Sequence, residues 1–397
     1  MTEIYLDNSA TTPLCQAAIE KMTEVMTGIY GNPSSLHKMG LAAEKVMTEA
    51  RDNILAALCP AKTGIRPKRE QLIFTASGTE ANNLALIGTM TAKPRNKGKK
   101  LIVGETEHPS VIEAAKHLET LGYKVAYIPS PQGVWDMKKY KEELSADTVL
   151  VSAMLVNNET GAVNDIAEIA KAAKAVSPEI LVHCDAVQGF LKIAANPLPY
   201  ADMVTVSAHK IGGPKGVGAL YVSEKILKTK SLSPVIFGGG QENGFRSGTE
   251  NVIGIAGFGA AAKSGALHLT KTLADFSDLR TYFTEKYSEY LGNGARINEP
   301  YSQTKASHII SLTVNGFKSE TLLHSLSGYG IFVSSGSACS SNTGHASYVL
   351  HSFGLSDNDA DSTLRISLGE QNTKEDIDAF LSALKESISK LARIKRR

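Results

Sequence analysis

The sequence predicts an α/β protein built on a mostly parallel sheet and followed by a second, smaller domain. Three observations carry this. Six apolar, β-rich runs recur between residues 71 and 208, several of them continuous rather than alternating, as strands covered on both faces read. Segments whose apolar residues recur at helical spacing separate them. After about residue 255 the texture changes to one long helical run, and strand-like stretches return only near residues 307 and 364.

In order, the strand candidates are QLIFTA (71–76), KLIVGE (100–105), KVAYIP (124–129), TVLVSAMLV (148–156), EILVHCDA (179–186), ADMVTVSA (201–208) and GALYVS (218–223). GTEANNLALIGTM and DIAEIAKAAKAV are helices between them. The run from Glu250 to Leu291 is a long helix, and SHIISLTV (307–314) and LRISLG (364–369) are strands of the smaller domain, which the N-terminal segment joins.

Composition narrows the class. The chain has 397 residues, a formal net charge of +2 and 42% hydrophobic residues, enough for a sizeable core. No run approaches the roughly 18 consecutive apolar residues of a membrane span, and MTEIYLDNSATTP lacks the basic and apolar regions of a signal peptide. Cys15, Cys59, Cys184 and Cys339 form neither a CxxC pair nor a dense framework, so a zinc knuckle and a disulfide scaffold are disfavoured and a reducing cytoplasm is expected. No GxGxxG follows the first strand, which disfavours a dinucleotide site.

In open α/β sheets ligands gather beyond the carboxyl ends of strands. Past the first run stands Ser77-Gly78-Thr79-Glu80, opening a helix whose free N–H groups suit an anion, although an ordinary N-cap uses the same residues. Past the others stand Glu107-His108-Pro109-Ser110, Asn157-Asn158-Glu159-Thr160-Gly161, Asp185 with Gln188, and Ser207-Ala208-His209-Lys210. Each alone could be a cap or a loop residue. Together they place an anion cradle, a carboxylate, an imidazole and a lysine on one sheet edge, the set that pyridoxal phosphate (PLP) requires. A lysine amine condenses with the cofactor aldehyde, a carboxylate keeps the ring nitrogen protonated, and a planar side chain stacks on the ring. Lys210, Asp185 and His108 fit those posts.

The stretches YLDNSATTP, GNPSSLH, FTASGTEANN, TEHPSV, VNNETG, HCDAVQ, SAHKIGGPKGVGALYV, GGGQENGFRSGTEN, SSGSACSS and LRISLG run in order from residue 5 to about 369. In these the chain resembles the cysteine desulfurases of the NifS/IscS type, in the class V aminotransferase group. The resemblance implies a fold-type I PLP-dependent transferase. Its large domain (15–255) carries a mostly parallel seven-stranded sheet, and a smaller α/β domain (1–14 and 256–397) carries a mobile cysteine loop at about 334–346. It implies that Lys210 holds the cofactor, Asp185 pairs with its ring nitrogen, Gln188 contacts its phenolic oxygen and His108 stacks on it. Gly78, Thr79, Ser207 and His209 would bind the phosphate, joined by Thr249 of a second subunit in a homodimer. Asn158 would lie near the ring oxygen and, with Arg365 and Asn32, line the substrate pocket, Arg365 gripping the carboxylate of L-cysteine as a bidentate fork.

Cys339 sits in SSGSACSSNTG (334–344), where small polar neighbours offer no apolar wall. As the resemblance implies, it takes sulfur from the substrate as a persulfide, with His108 as the proton shuttle near the substrate thiol, and passes it to a sulfur-acceptor protein, whether an iron–sulfur scaffold or a tRNA-thiolation enzyme. The loop length resembles the long-loop group, and the end at SKLARIKRR lacks the extension that docks the cluster scaffold in housekeeping members, which puts that partnership in doubt. No metal, no membrane contact and no direct nucleic-acid binding are expected. The alternatives are a selenocysteine lyase or another class V enzyme; the second would not need Cys339.

Overall fold

The structure is a computed structural model that describes residues 3–60, 64–92, 98–301, 305–336 and 347–395. In chain order the strands are β1 (Ile4–Tyr5), β2 (Leu72–Thr75), β3 (Lys100–Gly104), β4 (Lys124–Ile128), β5 (Thr148–Met154), β6 (Leu181–Asp185), β7 (Met203–Ser207), β8 (Gly218–Val222), β9 (Ala295–Ile297), β10 (Ile309–Val314), β11 (Ile331–Phe332), β12 (Ser334–Ser335) and β13 (Thr363–Ser367). Seven form one sheet in the order β2-β8-β7-β6-β5-β3-β4, parallel throughout except that β8 runs against both of its neighbours.

Burial explains why these strands read as continuous apolar runs. Leu72, Phe74, Ile102, Val151, Val182 and Val204 enter the core on one face, while Ile73, Leu101, Val103, Leu150, Leu181 and Met203 enter the core on the other. Helices cover both faces. The helix Gly78–Met90 starts at Ser77, whose hydroxyl caps the N–H of Glu80. The helix Ile166–Val176 starts at Asp165, which caps Glu168, so both helices begin where their cap residues predict.

A third core lies under the antiparallel sheet β12-β13-β10-β9, with Leu312, Leu364, Ile366, Phe283 and Phe380 in it. β1 pairs with β11, and Leu6 joins this core, so the N-terminal segment packs with the smaller sheet. The helix Val252–Leu291 spans both halves: its first turns pack on the helices Gln16–Gly28 and Lys38–Leu58, and its later turns supply Phe276, Leu279 and Phe283. Its length and composition would allow a membrane crossing, but half of its apolar window is buried inside the molecule. A core helix of a globular protein reads the same way.

Candidate active site

The order of the large sheet creates the site. β4 lies outside β3, whereas β6 and β7 lie on the far side of β5, so the chain reverses its direction of travel between β3 and β5. A crevice at the carboxyl ends of these strands follows from that reversal. His108 follows β3, Asn158 and Glu159 follow β5, Asp185 ends β6, and Ser207 ends β7 just before Lys210.

A relay of hydrogen bonds joins the carboxylate to the imidazole. Asn82, one turn into the helix Gly78–Met90, donates one N–H to Asp185 Oδ2 at 2.7 Å and the other to Ser110 Oγ at 2.8 Å. His108 caps the helix Pro109–Thr120: the N–H of Ser110 donates to its Nδ1 at 3.1 Å, and Ser110 Oγ lies 2.8 Å from the same atom. A ring nitrogen that accepts a backbone N–H carries no proton, so the proton of neutral His108 sits on Nε2. Burial, the largest influence, pulls the imidazole below its ordinary range; Lys210 adds to this and Asp185 opposes it. The other oxygen of Asp185 accepts the N–H of Val187 at 2.9 Å, which fixes the carboxylate plane.

On the opposite side of the crevice, Lys210 Nζ donates to the carbonyls of Ser9 and Ala10 at 2.6 and 2.8 Å. Gln188 Nε2 donates to the same Ser9 carbonyl at 2.9 Å. The segment Asp7–Thr12 thus runs beside the sheet edge. Thr12 Oγ1 donates to the His209 carbonyl at 3.0 Å, and His209 Nδ1 meets Thr11 Oγ1 at 3.2 Å. Burial first, then the charges of Lys210, Lys192 and Lys215, lower the His209 imidazole to about 4, so it is neutral near pH 7.

The residues fit PLP by their unmet capacity. Among the described residues Ser207 Oγ and Gln188 Oε1 are buried with no hydrogen-bond partner, which is costly unless a bound group supplies one. Gly78 is as bare as a phosphate cradle needs: a Cβ there would stand 3.1 Å from Val187 Cγ2 and 3.4 Å from Ser207 Cβ. Thr79, next along the helix, is exposed.

Arg365, in β13, reaches the same crevice from the smaller sheet. Its Nη1 donates to the Asn158 carbonyl at 3.2 Å and its Nη2 pairs with Asp7 Oδ1 at 2.7 Å, while Nε is buried without a partner among the described residues. Glu159, buried beside this arginine, accepts the hydroxyl proton of Ser347 at 2.5 Å. Burial is the main reason its carboxyl is pushed up to about 7; Ser347 and Arg365 pull the other way. A Cβ on Gly336 would lie 3.1 Å from Glu159 Oε2, so this one carboxyl abuts both Gly336 and Ser347.

Most of the expected residues therefore converge: Lys210, His108, Asp185, Gln188, Ser207, His209 and Gly78 on the large sheet, with Arg365 and Asn158 facing them. Thr79 borders the cradle as an exposed residue, and two others do not join this group. Asn32 is exposed in a turn, where its Oδ1 accepts the N–H of Ser34. Thr249 is exposed on the rim of a cavity of about 90 Å³ that Ala76 and Arg246 also line. Among the described residues it has no hydrogen bond to the cradle. Cys339 lies outside the described residues. Sequence reasoning missed Asn82, Ser110, Asp7 and the partnership of Glu159 with Ser347. For Asn82 a signal existed, an asparagine one turn past a candidate cradle in a helix with an apolar inner face.

The fold and this sheet edge define a fold-type I, PLP-dependent enzyme. The chain belongs to the class-V aminotransferase family, whose model matches residues 4–380. It is 38% identical over 395 residues to a protein named cysteine desulfurase IscS from Dictyoglomus turgidum, covering 99% of this chain and 96% of the relative. It is 37% identical to cysteine desulfurase IscS 1 of Archaeoglobus fulgidus, covering 98% and 97%. A solved structure described as a NifS-like protein superposes with a TM-score of 0.88 at 33% identity, covering 98% of this chain and all of the other.

Proposed function

We propose that this protein is a PLP-dependent cysteine desulfurase that converts L-cysteine to L-alanine and places the sulfur on Cys339. The observation that carries this reading is the convergence of Lys210, the Asp185–Asn82–Ser110–His108 relay and Arg365 on one crevice. Full-length likeness to relatives named cysteine desulfurase supports it.

When bound, PLP supplies an electron sink for the pair left at the substrate Cα. Asp185 holds the ring nitrogen protonated, and Asn82 and the N–H of Val187 keep that carboxylate from turning away. Lys210 Nζ holds the cofactor and, once displaced, takes the Cα proton as a base. Arg365 receives the substrate carboxylate through its Nε–H, which has no partner among the described residues, and shares its charge with Asp7. His108 presents the proton of Nε2, since its Nδ1 is committed to Ser110. The thiolate of Cys339 attacks the substrate sulfur: an S–S bond forms as the Cβ–S bond breaks, and its electron pair stays with Cβ, which takes a proton to become the methyl of alanine while Lys210 returns a proton to Cα.

The finer parts of this reading are also proposals. Residues 15–255 form the cofactor domain, with 1–14 and 256–397 forming the smaller one. Thr249 serves the phosphate of a second subunit in a homodimer, consistent with the exposed Tyr30, Leu36 and Phe237, apolar surface of the kind an interface covers. Asn32 completes the substrate pocket. A free thiol nucleophile needs reducing surroundings, so the cytoplasm is its compartment. An acceptor protein, either an iron–sulfur scaffold or a tRNA-thiolation enzyme, removes the sulfur. The test is product stoichiometry with L-cysteine and dithiothreitol: alanine and sulfide in equal yield support the reading, and pyruvate or an amino-group transfer product in place of alanine refutes it.

A further inference from the structure

Lys192 has no part in the chemistry above. It is buried, only 7% exposed, and its Nζ has no hydrogen-bond partner among the described residues. An unpartnered buried ammonium is costly enough that something normally compensates it. Nothing among the described residues does so directly, but the residue lines a cavity of about 330 Å³ between the large sheet's layer and the smaller domain.

That cavity is separate from the cofactor crevice. Of the residues along the crevice it shares Lys210 and, from the N-terminal segment, Asn8 and Thr12; none of His108, Asp185, Gln188, Ser207, Gly78 or Arg365 lines it. Leu191, Phe276 and Leu368 make its walls apolar, and Leu14 joins them from the N-terminal segment. Glu370 stands exposed at its edge, where one oxygen accepts the Thr272 hydroxyl at 3.1 Å. A buried cation, apolar walls and a carboxylate at the edge together select a ligand. It needs one negative charge to meet Lys192 and an apolar body to replace water on the walls. A second or third negative charge would face Glu370.

We propose that the cavity holding Lys192 is a binding site for a small monocarboxylate with an apolar chain, distinct from the L-cysteine site. Among the described residues the charged and titratable groups around Lys192 are Lys210, Arg365, His209 and His308, with Glu370 the one carboxylate. Burial, then Lys210 and Arg365, lower the amine to about 7. A carboxylate that binds only the ammonium form therefore weakens as pH rises, by about tenfold between pH 6 and pH 8 for a single linked proton. Occupancy would also screen Lys210 and His209 from one positive charge, coupling the cavity to the cofactor lysine.

Equilibrium dialysis of the full-length holoenzyme with radiolabelled hexanoate, and separately with inorganic phosphate, tests this. The expected result is one hexanoate per chain, bound about tenfold more tightly at pH 6 than at pH 8, with phosphate much weaker. Lys192→Met, which keeps the stem and removes the charge, should lower hexanoate affinity at pH 6 at least tenfold, whereas Arg365→Gln, which removes a neighbouring charge but no wall of the cavity, should change it far less. If Lys192→Met does not fold, Glu370→Gln at the exposed edge serves instead, and phosphate binding should then rise. Affinity unaffected by Lys192→Met, equal affinity at both pH values, phosphate binding as tightly as hexanoate, no rise with Glu370→Gln, or loss of binding in Arg365→Gln alone would overturn the proposal.

Discussion

Glu159→Gln isolates one buried carboxyl, and its effect can be worked from the structure. Burial raises this carboxyl from the ordinary 4.5 to about 7, with Ser347 and Arg365 only partly compensating. The fold therefore prefers the protonated acid. That preference is fully present below about pH 4.5 and is lost as pH rises through about 7. At about 1.4 kcal/mol for each tenfold in proton affinity, ionising Glu159 removes about 2.5 kcal/mol between pH 5 and pH 8. Glutamine keeps an acceptor for the Ser347 hydroxyl and cannot ionise. A weaker neutral hydrogen bond costs about 1 kcal/mol at every pH where the wild type is ionised, so the variant should gain on the wild type by about 1.5 to 2.5 kcal/mol across that range. The assay is urea unfolding of both proteins at equal concentration from pH 5 to pH 8. Because protonated Glu159 leaves the charge of Arg365 to the substrate carboxylate, KM for L-cysteine in the wild type should also rise through pH 7 more than in the variant. Parallel stability curves across the range would refute the reasoning.

Other perturbations probe the rest of the crevice. Asn82→Ala strips donors from Asp185 and Ser110 at once; with about 1–3 kcal/mol at stake, kcat/KM should fall roughly tenfold to a hundredfold, with cofactor absorbance altered and the fold unchanged by circular dichroism. Arg365→Lys loses the guanidinium fork and the contact with Asn158, so KM for L-cysteine should rise at least tenfold while borohydride still traps PLP on residue 210. Mixing Lys210→Ala chains with Thr249→Ala chains should restore activity, because one of the two composite sites then has both residues; a verified heterodimer without recovery counts against shared sites.

The seven strands of the large sheet were legible because burial on both faces forces unbroken apolar runs, as in TVLVSAM and LVHCD. Their ends pointed to the crevice, since Asp185 and Lys210 follow apolar strands directly. β1, β11 and β12 were not legible: two residues carry no period, and their pairing depends on chain segments more than three hundred residues apart or on β13. Asn82 and Ser110 stood inside recognised stretches, but their joint role appears only once the starts of two helices face each other across the sheet edge. Lys192 gave no signal because a lysine among apolar residues reads as a solvated stem until folding buries it. Glu159 read as a loop residue for the same kind of reason, its partner Ser347 lying 188 positions away.

Mass spectrometry of the peptide carrying residue 339, after incubation with L-cysteine and without added reductant, bears most directly on the sulfur-transfer reading. The wild type should gain one sulfur atom on Cys339 with one alanine released per site. Lys210→Ala should gain none, and Cys339→Ala should keep the cofactor yet release sulfide at a rate lower by orders of magnitude. Sulfide release at the wild-type rate from Cys339→Ala, or sulfur found first on Cys15, Cys59 or Cys184, would contradict the account.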